Sequence, residues 1–391
     1  MLIANIEAQK MVYRKVLLTS CLLLLFLSIT VQFDVKAGPV TINVPENYPT
    51  IQGAISHASP GDTIHVSSGT YNENLAINKN LTLVGESKTN TFIVGSGNTV
   101  IQVNFTTVNI SGFTIMNGTN GIVLQTCTGS TIKENKITCS DKGIWLFGSD
   151  SNIISDNLIS NSYTGIVLCG HSSENIVLRN TVQDNSKGIA FSGTGNLIYH
   201  NDFINNQNQT EIIASFSNIW NNNVDGNYWS DYKGIDANQD GIGDTPYLID
   251  GNNQDNYPLM GVFSQFLVKW KGENYYVTTI SNSTITDLNY GNSISLDVTG
   301  PEGTVGFCRI TLPRALFDGD PAILVNGSPP ITEKELPASN NTHVYLYFTY
   351  AHITTQAVIT PEFLVIIVVS VLVISIIAAI IIAKKVRSKT K

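Results

Sequence analysis

A pattern of apolar and polar positions repeats five times between Ile110 and Phe203. Each copy has two apolar residues five positions apart with mostly polar residues between them, and the copies begin at Ile110, Ile132, Ile154, Val177 and Ile198. A second pattern in the same phase is a glycine followed by three apolar residues, and it begins at Gly121, Gly143, Gly165 and Gly188. A fixed period of about 22 residues without helical spacing suits three strand–turn units per coil. The sequence therefore predicts a parallel β-helix.

Stacked coils predict columns of equivalent side chains, because each coil lies about 4.8 Å from the next. Two inward columns are expected, one at Ile122, Ile144, Ile166 and Ile189 and one at Leu124, Leu146, Leu168 and Phe191. Strand alternation predicts that the residues between these columns face outward, namely Val123, Trp145, Val167 and Ala190. A turn column is interpreted as a structural stack of hydrogen-bonded amides, formed by Asn135, Asn157, Asn180 and Asn201.

Both ends of the chain carry targeting patterns. Residues 1–37 combine a basic start, an apolar run and a small-residue end at Ala37, which predicts a secretory signal peptide. Residues 363–383 contain no charged side chain over the length of a membrane-spanning helix. Residues 384–391 form a basic tail, which the positive-inside rule assigns to the cytoplasm. The sequence thus predicts a single-pass protein of the cell membrane with most of the chain outside the cell.

The part of the chain predicted to be extracellular is acidic. Between Gly38 and Glu362 it holds 13 Lys and Arg residues against 28 Asp and Glu residues. This balance disfavours a nucleic-acid partner and favours metal cations. Sequences that permit N-glycosylation outside the cell occur at Asn80, Asn104, Asn109, Asn117, Asn208, Asn282, Asn326 and Asn340.

The extracellular part divides into two predicted segments. Residues 38–260 are expected to form the β-helix, entered through a short amphipathic cap helix within Tyr48–Ala58 that has Thr50 as its N-cap. Residues 261–358 lack the repeat and contain short alternating runs separated by Gly- and Asn-rich turns. Such runs predict a small antiparallel β-sandwich.

Local motifs in the first segment resemble known β-helix families. The entry sequence from Pro49 to Glu73 is similar to the N-terminal entry of pectin-lyase-like β-helices. The coils, with Gly226–Tyr232, Asp240–Tyr247 and Tyr257–Met260, resemble the NosD-type periplasmic copper-binding family of the carbohydrate-binding and sugar-hydrolase group. This resemblance implies an all-β protein with a right-handed parallel β-helix and a carbohydrate-related role. The second segment resembles modules found beside such β-helices in archaeal surface proteins.

The segment Asp236–Asp244 resembles the first part of a calcium-binding loop. Its predicted oxygen ligands are the side chains of Asp236, Asn238, Asp240 and Asp244 and the carbonyl of Ile242. The position of the final EF-hand glutamate is taken by Tyr247, so Asp250 or Asp255 is the alternative last ligand. We predict a structural calcium ion here; the alternative is a solvated acidic turn.

Residues directly before the repeating asparagines form the candidate catalytic set, which is Glu134, Asp156, Arg179 and His200. Stacking is expected to bring Asp156 and Arg179 within reach, and carboxylates near an arginine and a histidine suit acid–base chemistry on a sugar. The alternative is a ladder of ion pairs, each worth about 0.2–1 kcal/mol. Because hydrolase elbows, zinc-protease motifs and phosphate loops are absent from the sequence, it favours a protein without catalytic activity.

Two further residue sets bear on ligands. Trp145 is the candidate sugar-contacting ring, because it is expected on the outer face of a coil. The aromatic residues between Trp220 and Tyr257 are expected instead to cap the apolar interior. Copper is disfavoured because the soft ligands do not cluster: Cys169 and His171 are neighbours, but Cys127 is two coils away, about 9.6 Å.

These features favour a non-catalytic protein that binds a polysaccharide or surface glycan, or serves as a scaffold, at the cell surface. A polysaccharide lyase or hydrolase is the first alternative, and release of cleavage products would distinguish it. A copper-delivery accessory protein is the second alternative, and a stoichiometric copper titration would distinguish it.

Overall fold

A computed structural model of the protein describes residues 9–17, 38–139, 141–291, 293–317, 319–352 and 355–361. Residues 9–17 are helical. The predicted membrane span at 363–383 and the basic tail at 384–391 lie outside the described residues, as does the rest of the predicted signal peptide up to residue 37. Among the residues described, no helix has the length and apolar character to cross a membrane.

Three parallel sheets wind along residues 41–229 and form the predicted solenoid. Sheet A consists of Thr41–Val44, Thr63–Val66, Leu81–Gly85, Val108–Ser111, Thr131–Lys133, Ile153–Ser155, Ile176–Leu178 and Leu197–Tyr199. Sheet B consists of Gly69–Tyr71, Thr91–Val94, Thr114–Met116, Lys136–Thr138, Leu158–Ser160, Thr181–Gln183, Asp202–Ile204 and Tyr228–Trp229. Sheet C consists of Leu75–Ile77, Ile101–Asn104, Asn120–Gln125, Lys142–Phe147, Thr164–Cys169, Lys187–Phe191 and Asn208–Ile212. The chain visits A, B and C in turn, so the prediction of a parallel β-helix is confirmed.

The strand register confirms the two predicted inward columns in sheet C. Ile122 pairs with Ile144, Ile144 with Ile166, and Ile166 with Ile189. The leucine column that ends at Phe191 is in the same register. All of these side chains are fully buried in one apolar cluster that runs through the solenoid. Their burial outside water is the main favourable term that holds the coils together.

The outward column of sheet C differs from the expectation in its exposure. Val123, Trp145 and Val167 are in register and lie outside the interior cluster, as strand alternation requires. However, Val123 and Val167 are each only 4% exposed. Ala190, the fourth residue of the column, pairs with Val167 and is 1% exposed. The small side chains of this column therefore face outward and are nevertheless buried.

The turns that join the sheets share one backbone conformation. A residue with positive φ is followed by a buried polar residue, as at Asp156 and Asn157 in the turn from sheet A to sheet B. The residues with positive φ in that turn are Glu134, Asp156, Arg179 and His200, with φ between 53° and 58°. The left-handed conformation reverses the chain within one residue, and the next side chain then points into the solenoid.

The predicted asparagine column is a continuous hydrogen-bonded ladder. The amide Nδ2 of Asn157 donates to Asn180 Oδ1 at 3.0 Å, and that of Asn180 donates to Asn201 Oδ1 at 2.9 Å. The same oxygens accept the backbone N–H groups of Asn157 and Asn180 from the neighbouring coil. The ladder continues to Asn227 and ends at Asp255. Its structural interpretation is thereby confirmed.

A second ladder runs along the turn from sheet C to sheet A. It is formed by Asn152, Asn175, Asn196, Asn218 and Asn253, with side-chain or backbone donors 2.8 to 3.0 Å from the next Oδ1. Every amide in it is at most 7% exposed. These ladders satisfy buried backbone groups that the turns would otherwise leave unpaired.

Both ends of the solenoid are closed. At the start, the helix Ile51–His57 has Thr50 as its N-cap, as predicted, and Glu73 accepts two backbone N–H groups of its first turn at 2.9 Å. At the other end, the ring of Trp229 stacks between Phe203 and Tyr247, with centroids 4.5 and 4.3 Å away. Closed ends shield strand edges that would otherwise pair with other chains.

Residues 262–361 form two antiparallel sheets. One contains, in spatial order, Val262–Trp270, Glu273–Ser281, Val305–Pro313, His343–Ala351 and Thr332–Glu335. The other contains Thr284–Tyr290, Ile294–Thr299, Thr355–Pro361 and Pro321–Val325. The remaining elements are the short pair Tyr247–Leu248 and Gln254–Asp255 and the 3₁₀ turn Arg314–Leu316. Both larger sheets contribute side chains to one apolar core, as expected for a small β-sandwich.

The sandwich contacts the last coils of the solenoid through buried polar groups. Arg309, which is 4% exposed, donates from Nη1 to Asp225 Oδ1 at 2.8 Å. The backbone N–H of Phe263 donates to Asp202 Oδ1 at 2.9 Å. Burial raises the pKa of Asp202 well above its usual range. The two parts are thus joined by specific contacts between distant segments of the chain.

Candidate functional site

A groove follows the turns from sheet B to sheet C, and we call it the B–C groove. It comprises two cavities of about 580 and 490 Å³ that share Asn161 as a lining residue. The larger cavity is lined by Asn161, Ser162, Tyr163, Asp184, Asn185, Ser186, Asn205 and Gln207. The smaller is lined by Gly97, Asn117, Gly118, Thr138, Cys139 and Asn161. Both cavities are shallow and open to solvent.

The groove arises from the same turn conformation as the asparagine ladders. Asn161, Asp184 and Asn205 have positive φ and stand exposed in successive coils. The buried residues that follow two of them continue as a short ladder, in which Asn185 Nδ2 donates to Asn206 Oδ1 at 3.0 Å. The turns therefore present amide and carboxylate groups outward at a regular spacing.

Ser162 interrupts this short ladder. It occupies the position held by Asn185 in the next coil, and its backbone N–H donates to Asn185 Oδ1 at 2.9 Å. Its side chain is 4% exposed, and its hydroxyl has no hydrogen-bond partner. A buried hydroxyl without a partner costs about 1–3 kcal/mol, so this coil is held less firmly at its turn than the next one.

Tyr163 supplies an exposed ring at the margin of the groove. The side chain is 52% exposed, and Lys187 Nζ lies 4.9 Å from its ring centroid. Lys187 also pairs with Glu211, which raises the pKa of the lysine. The cation is therefore neutralised by its own neighbour, and the other face of the ring is available to a flat apolar surface such as one side of a sugar.

Trp145, the ring chosen from the sequence, is half-buried on the outer face of sheet C. Its indole N–H donates to Cys169 Sγ at 3.0 Å, and Lys142 Nζ lies 4.8 Å from its ring centroid. Phe147 packs edge-on against it. These neighbours hold the ring in place, and a sugar-binding role for Trp145 stays a prediction.

The candidate catalytic column is assembled as an ion-pair ladder. Arg179 donates from Nε and Nη2 to the two carboxylate oxygens of Asp156, at 2.8 and 3.0 Å. Oε1 of Glu134 lies 3.4 Å from Nζ of Lys133, the residue before it in the chain. The proximity of Asp156 and Arg179 is confirmed, but this bidentate pair already uses both carboxylate oxygens.

His200 is enclosed between the solenoid and the sandwich. Its ring stacks on Phe263 with centroids 3.9 Å apart, and its Nε2 lies 3.2 Å from Asp225 Oδ2. Asp225 also accepts from Arg309. Burial raises the pKa of Asp225, but the hydrogen bond to His200 and the charge of Arg309 lower it by more, so the pKa lies below its ordinary value. The column thus ends in a packed contact between the two parts of the chain, and His200 does not line the B–C groove.

The predicted calcium loop folds back on itself. Asp236 accepts the backbone N–H groups of Asp240 and Gly241 at 2.9 and 2.8 Å, and Asp244 accepts that of Ala237 at 2.8 Å. Burial and the charges of Asp240 and Asp244 raise the pKa of Asp236, despite these hydrogen bonds. Lys334 of the sandwich donates to the carbonyl of Asn238. The loop therefore gathers three carboxylates in one short turn.

Both alternative last ligands of that loop accept hydrogen bonds from other parts of the structure. Asp255 accepts from Trp229, Asn227 and Tyr257, and Asp250 accepts from Ser215, Asn252 and Asn253. Within the described part of the chain, no group of three or more His, Cys, Asp and Glu side chains has the arrangement of a metal site.

Soft metal ligands are also dispersed among the described residues. Cys127 is buried with Sγ 3.4 Å from the carbonyl of Gln125, Cys169 receives the Trp145 indole N–H, and the ring of His171 packs against Phe216. All four described cysteines are free thiols, and burial raises the pKa of Cys139 to about 11. The donor set that copper requires is thus not assembled by these residues.

Sequence reasoning missed Ser162, Tyr163 and Asp184. A signal existed, because the residues three positions after Ile159, Val182 and Phe203 are Ser162, Asn185 and Asn206. That signal was weak, since three residues are a short column.

The family model described as "Periplasmic copper-binding protein (NosD)" matches residues 35–234. The chain is 33% identical over 134 residues to a probable ABC transporter binding protein NosD of Stutzerimonas stutzeri, an alignment that covers 34% of this chain and 29% of that protein. It is also 33% identical over 175 residues to a cell surface glycoprotein of Methanothermus fervidus, covering 41% of this chain and 29% of that protein. The chain thus matches less than a third of the length of these relatives.

Solved structures similar to this chain include two enzymes named for polysaccharides. A pectin methylesterase crystallised with a hexasaccharide has a TM-score of 0.34 and 15% identity, covering 45% of this chain and 66% of that one. An alginate lyase from Paenibacillus has a TM-score of 0.31 and 16% identity, covering 48% of this chain and 80% of that one. Because the NosD model matches half of the sequence and the described structure is a solenoid with the expected register, this chain belongs to the NosD family of β-helix proteins.

Proposed function

We propose that this protein binds a polysaccharide or surface glycan in the B–C groove, outside the cytoplasm, without cleaving it. The observation that carries the proposal is the presence, in one groove, of the exposed Tyr163 ring together with the exposed polar side chains of Asn161, Asp184 and Asn205. Sugars present an apolar ring face and several hydroxyl groups. A ring platform beside amide, carboxylate and hydroxyl groups is complementary to both features.

Binding without cleavage is supported by the state of the ionisable residues. Glycoside hydrolysis requires two carboxyl groups that flank the scissile bond, one of them able to donate a proton. In the candidate column, Asp156 is held by Arg179, and His200 is stacked on Phe263. The B–C groove itself contributes Asp184 as its carboxylate among the residues lining the two cavities. This supports a binding role over a lyase or hydrolase.

A position outside the cytoplasm is supported by the relatives, one of which is named a cell surface glycoprotein and another a binding protein. The membrane anchor at 363–383 stays a prediction from the sequence. Labelling of intact cells with a membrane-impermeant amine reagent tests this location. Modification of lysines in the β-helix is expected, and protection of all of them until lysis would contradict it.

The glycan proposal is tested with the purified full chain on a panel of oligosaccharides, followed by product analysis. We expect binding without new reducing ends or unsaturated products. Replacement of Tyr163 by Ala should weaken binding about tenfold, the loss expected when a ring contact of this kind is removed. Tyr276→Ala is the matched control, because Tyr276 has the same exposure of 52% but lies in the sandwich. Equal losses in both variants, or release of products, would contradict the proposal.

We also propose that the Asp236–Asp244 loop binds a structural calcium ion. The proposal is supported by the spacing of Asp236, Asn238, Asp240 and Asp244 in the sequence and by the repulsion from Asp240 and Asp244, which together with burial raises the pKa of Asp236 and which a cation would relieve. Binding requires the carboxylates to turn towards the ion from their backbone hydrogen bonds. Calcium should raise the melting temperature of the full chain, by mass action on the folded state. The Asp240→Asn variant should lose this response, whereas the exposed Asp287→Asn variant should keep it. A melting temperature independent of calcium would contradict the proposal.

A further inference from the structure

The solenoid ends with one sheet a strand short of the other two. Sheets A and B each contain eight strands, whereas sheet C contains seven. Beyond the last strand of sheet A, Ile219 bridges to Leu197, and beyond that of sheet B, Leu259 bridges to Tyr228. In the described part of the chain, no strand pairs with the outer edge of Asn208–Ile212, the last strand of sheet C. The last coil is therefore open at sheet C, and we call this edge the free edge.

The free edge presents backbone groups that another strand could bind. The N–H of Ile213 donates to the carbonyl of Phe191 in the preceding strand at 2.9 Å. Because backbone groups point alternately to the two sides of a strand, those of Glu211 also face the preceding strand. Those of Thr210 and Ile212 face the free edge. Two N–H donors and two carbonyl acceptors are thus presented at the spacing that an added strand requires.

Ile212 shows that the interior is also uncovered at the free edge. It pairs with Phe191 and therefore continues the inward leucine column of sheet C. The earlier members of that column are fully buried, but Ile212 is 40% exposed. Ile213 and Phe216, which follow it in the chain, are exposed as well. An eighth strand of sheet C would cover this interior position and remove its apolar surface from water.

The free edge lacks features that normally prevent strands from pairing. Proline, a bulge or an uncompensated charge blocks the edges of many natural sheets. The segment Asn208–Ile212 contains no proline, and its charged residue, Glu211, pairs with Lys187 of the preceding strand. At the opposite end of sheet C, by contrast, the side chain of Gln52 closes the edge, because it accepts from the N–H of Ala76 at 2.8 Å and donates to the carbonyl of Ala76 at 3.3 Å. One end of sheet C is thus closed, and the other is left able to pair.

The β-sandwich does not cover the free edge. Its described hydrogen bonds and ring contact with the solenoid are made to His200, Asp202, Asp225 and Asn238. None of these contacts involves the strand Asn208–Ile212. The place of an eighth strand in sheet C is therefore not taken by the sandwich, and a second molecule can pair with this strand.

We propose that a second copy of this chain covers the free edge, with the two strands Asn208–Ile212 antiparallel about a two-fold axis. Thr210 of each copy then lies opposite Ile212 of the other, and each of these pairs exchanges two backbone hydrogen bonds. The two Glu211 side chains meet at the axis, and each retains Lys187 of its own copy as its counter-charge. Every donor at the free edge meets an acceptor of the same edge, so the edge is complementary to itself.

The first experiment measures the self-association of the purified full chain in mild detergent by sedimentation equilibrium. We expect a dimer. Thr210→Pro removes a donor at the free edge but none of the bonds to the preceding strand, and Ile212→Lys places a charge at the same edge. Each variant should weaken dimerisation at least tenfold with an unchanged circular dichroism spectrum. Ile331→Lys, at an exposed position of the sandwich, is the matched control and should dimerise as the wild type does.

Two outcomes of this experiment would overturn the inference. One is a wild type that stays monomeric, in which case the free edge is open to a strand of another protein. The other is a pair of folded edge variants that dimerise as the wild type does, in which case the copies associate through another surface. Neither outcome bears on glycan binding in the B–C groove.

The second experiment tests the antiparallel register. Opposed residues that lie between two hydrogen-bonded pairs have Cα atoms about 4.5 Å apart, within the range of about 4.4–6.8 Å that disulfides span. Glu211→Cys should therefore cross-link two copies on mild oxidation. Asn208→Cys is the matched control, because the two substituted positions would lie about 20 Å apart in the same dimer. A dimeric Glu211→Cys variant that does not cross-link, or equal cross-linking of both variants, would contradict the proposed pairing.

Discussion

Asp255 accepts the indole N–H of Trp229 at 3.0 Å, at the point where the first asparagine ladder ends. The same carboxylate oxygen accepts the backbone N–H of Asn227 at 2.7 Å, and the other oxygen accepts that of Tyr257 at 3.0 Å. Asp255 is fully buried, and this burial raises its pKa to about 6 in spite of those hydrogen bonds. A carboxylate thus replaces the amide that every earlier position of the ladder uses.

The raised pKa of Asp255 predicts a pH dependence of stability. The folded state binds the Asp255 proton more tightly than the unfolded state does, so this group stabilises the fold at acidic pH. Its contribution is present below the ordinary pKa of about 3.8 and is lost as the pH rises towards 6. Asp255→Asn removes the titration. Relative to the wild type, the variant should therefore gain about 2 kcal/mol in free energy of unfolding between pH 4.5 and pH 7.

Urea unfolding of both proteins at a series of pH values measures this difference. Asp320→Asn is the control, because Asp320 is an exposed aspartate of the sandwich. Its difference from the wild type should be nearly constant over the same range. A constant difference for Asp255→Asn as well would mean that this carboxyl titrates normally in the folded protein.

The ladders predict a large cost for a single buried amide. Asn180 donates to the carbonyl of Ile154 and to Asn201, and its Oδ1 accepts two donors of Asn157. Asn180→Ala leaves these groups without partners in the interior, which should lower the free energy of unfolding by about 3 kcal/mol. Hydrogen exchange at the amide of Asn157 should become faster. Asn109→Ala, at an exposed strand position, should lower the free energy of unfolding by less than about 0.5 kcal/mol. Similar losses at the two positions would contradict a stabilising role for the ladder.

The columns of the solenoid could be predicted because the strand period and the coil period together determine which residues stack in successive coils. Ile122, Ile144 and Ile166 had to stack once a period of 22 residues was recognised. The second ladder was missed even though Asn152, Asn175 and Asn196 recur at nearly the same period. Asparagine is abundant in this chain, so a column becomes visible only when the turn geometry is known.

The B–C groove and the place of His200 could not be predicted in this way. The groove is formed by exposed turn residues that differ from coil to coil, such as Asn161 and Asp184, and a repeat in the sequence shows only what the coils share. His200 is enclosed by Phe263 and Asp225, which follow it by 63 and 25 positions. Contacts of that kind depend on how the sandwich packs on the solenoid, and no local period encodes that packing.

The contact between the two parts predicts a large effect at Asp225. Asp225→Asn leaves Arg309 buried without its counter-charge, and breaking such a pair costs about 3–5 kcal/mol. Because the pKa of Asp225 is lowered in the folded protein, the wild-type contact stabilises the fold above the ordinary pKa near 4 and loses its effect as the pH falls below it. Calorimetry at pH 7 should show a lower melting temperature, with the sandwich and the solenoid unfolding in separate steps.

A matched variant isolates this contact from a general loss of surface charge. Arg314→Met removes an arginine of the sandwich that is about one-third exposed and pairs with Glu335 at 3.1 Å. Such pairs contribute about 0–1 kcal/mol, so a small shift is expected. The double variant Asp225→Asn/Arg309→Met should recover part of the loss, because it leaves no unpaired buried charge. The two single variants, Asp225→Asn and Arg309→Met, each lose some free energy of unfolding. If the double variant lost more than the sum of these two losses, the buried pair would not be what joins the two parts.

Variants of the Asp156–Arg179 pair distinguish a structural role of its column from a catalytic one. As an ion pair on the solenoid surface, it should contribute about 1 kcal/mol or less, so Arg179→Gln should lower the free energy of unfolding by no more than that. Glycan binding in the B–C groove should be unchanged, because the pair lies at the turn from sheet A to sheet B. If the full chain released sugar products, and Arg179→Gln and Asp156→Asn each abolished that release while remaining folded, the column would be catalytic. The arrangement of Arg179 around both oxygens of Asp156 leads us to expect no product from the wild type or from either variant.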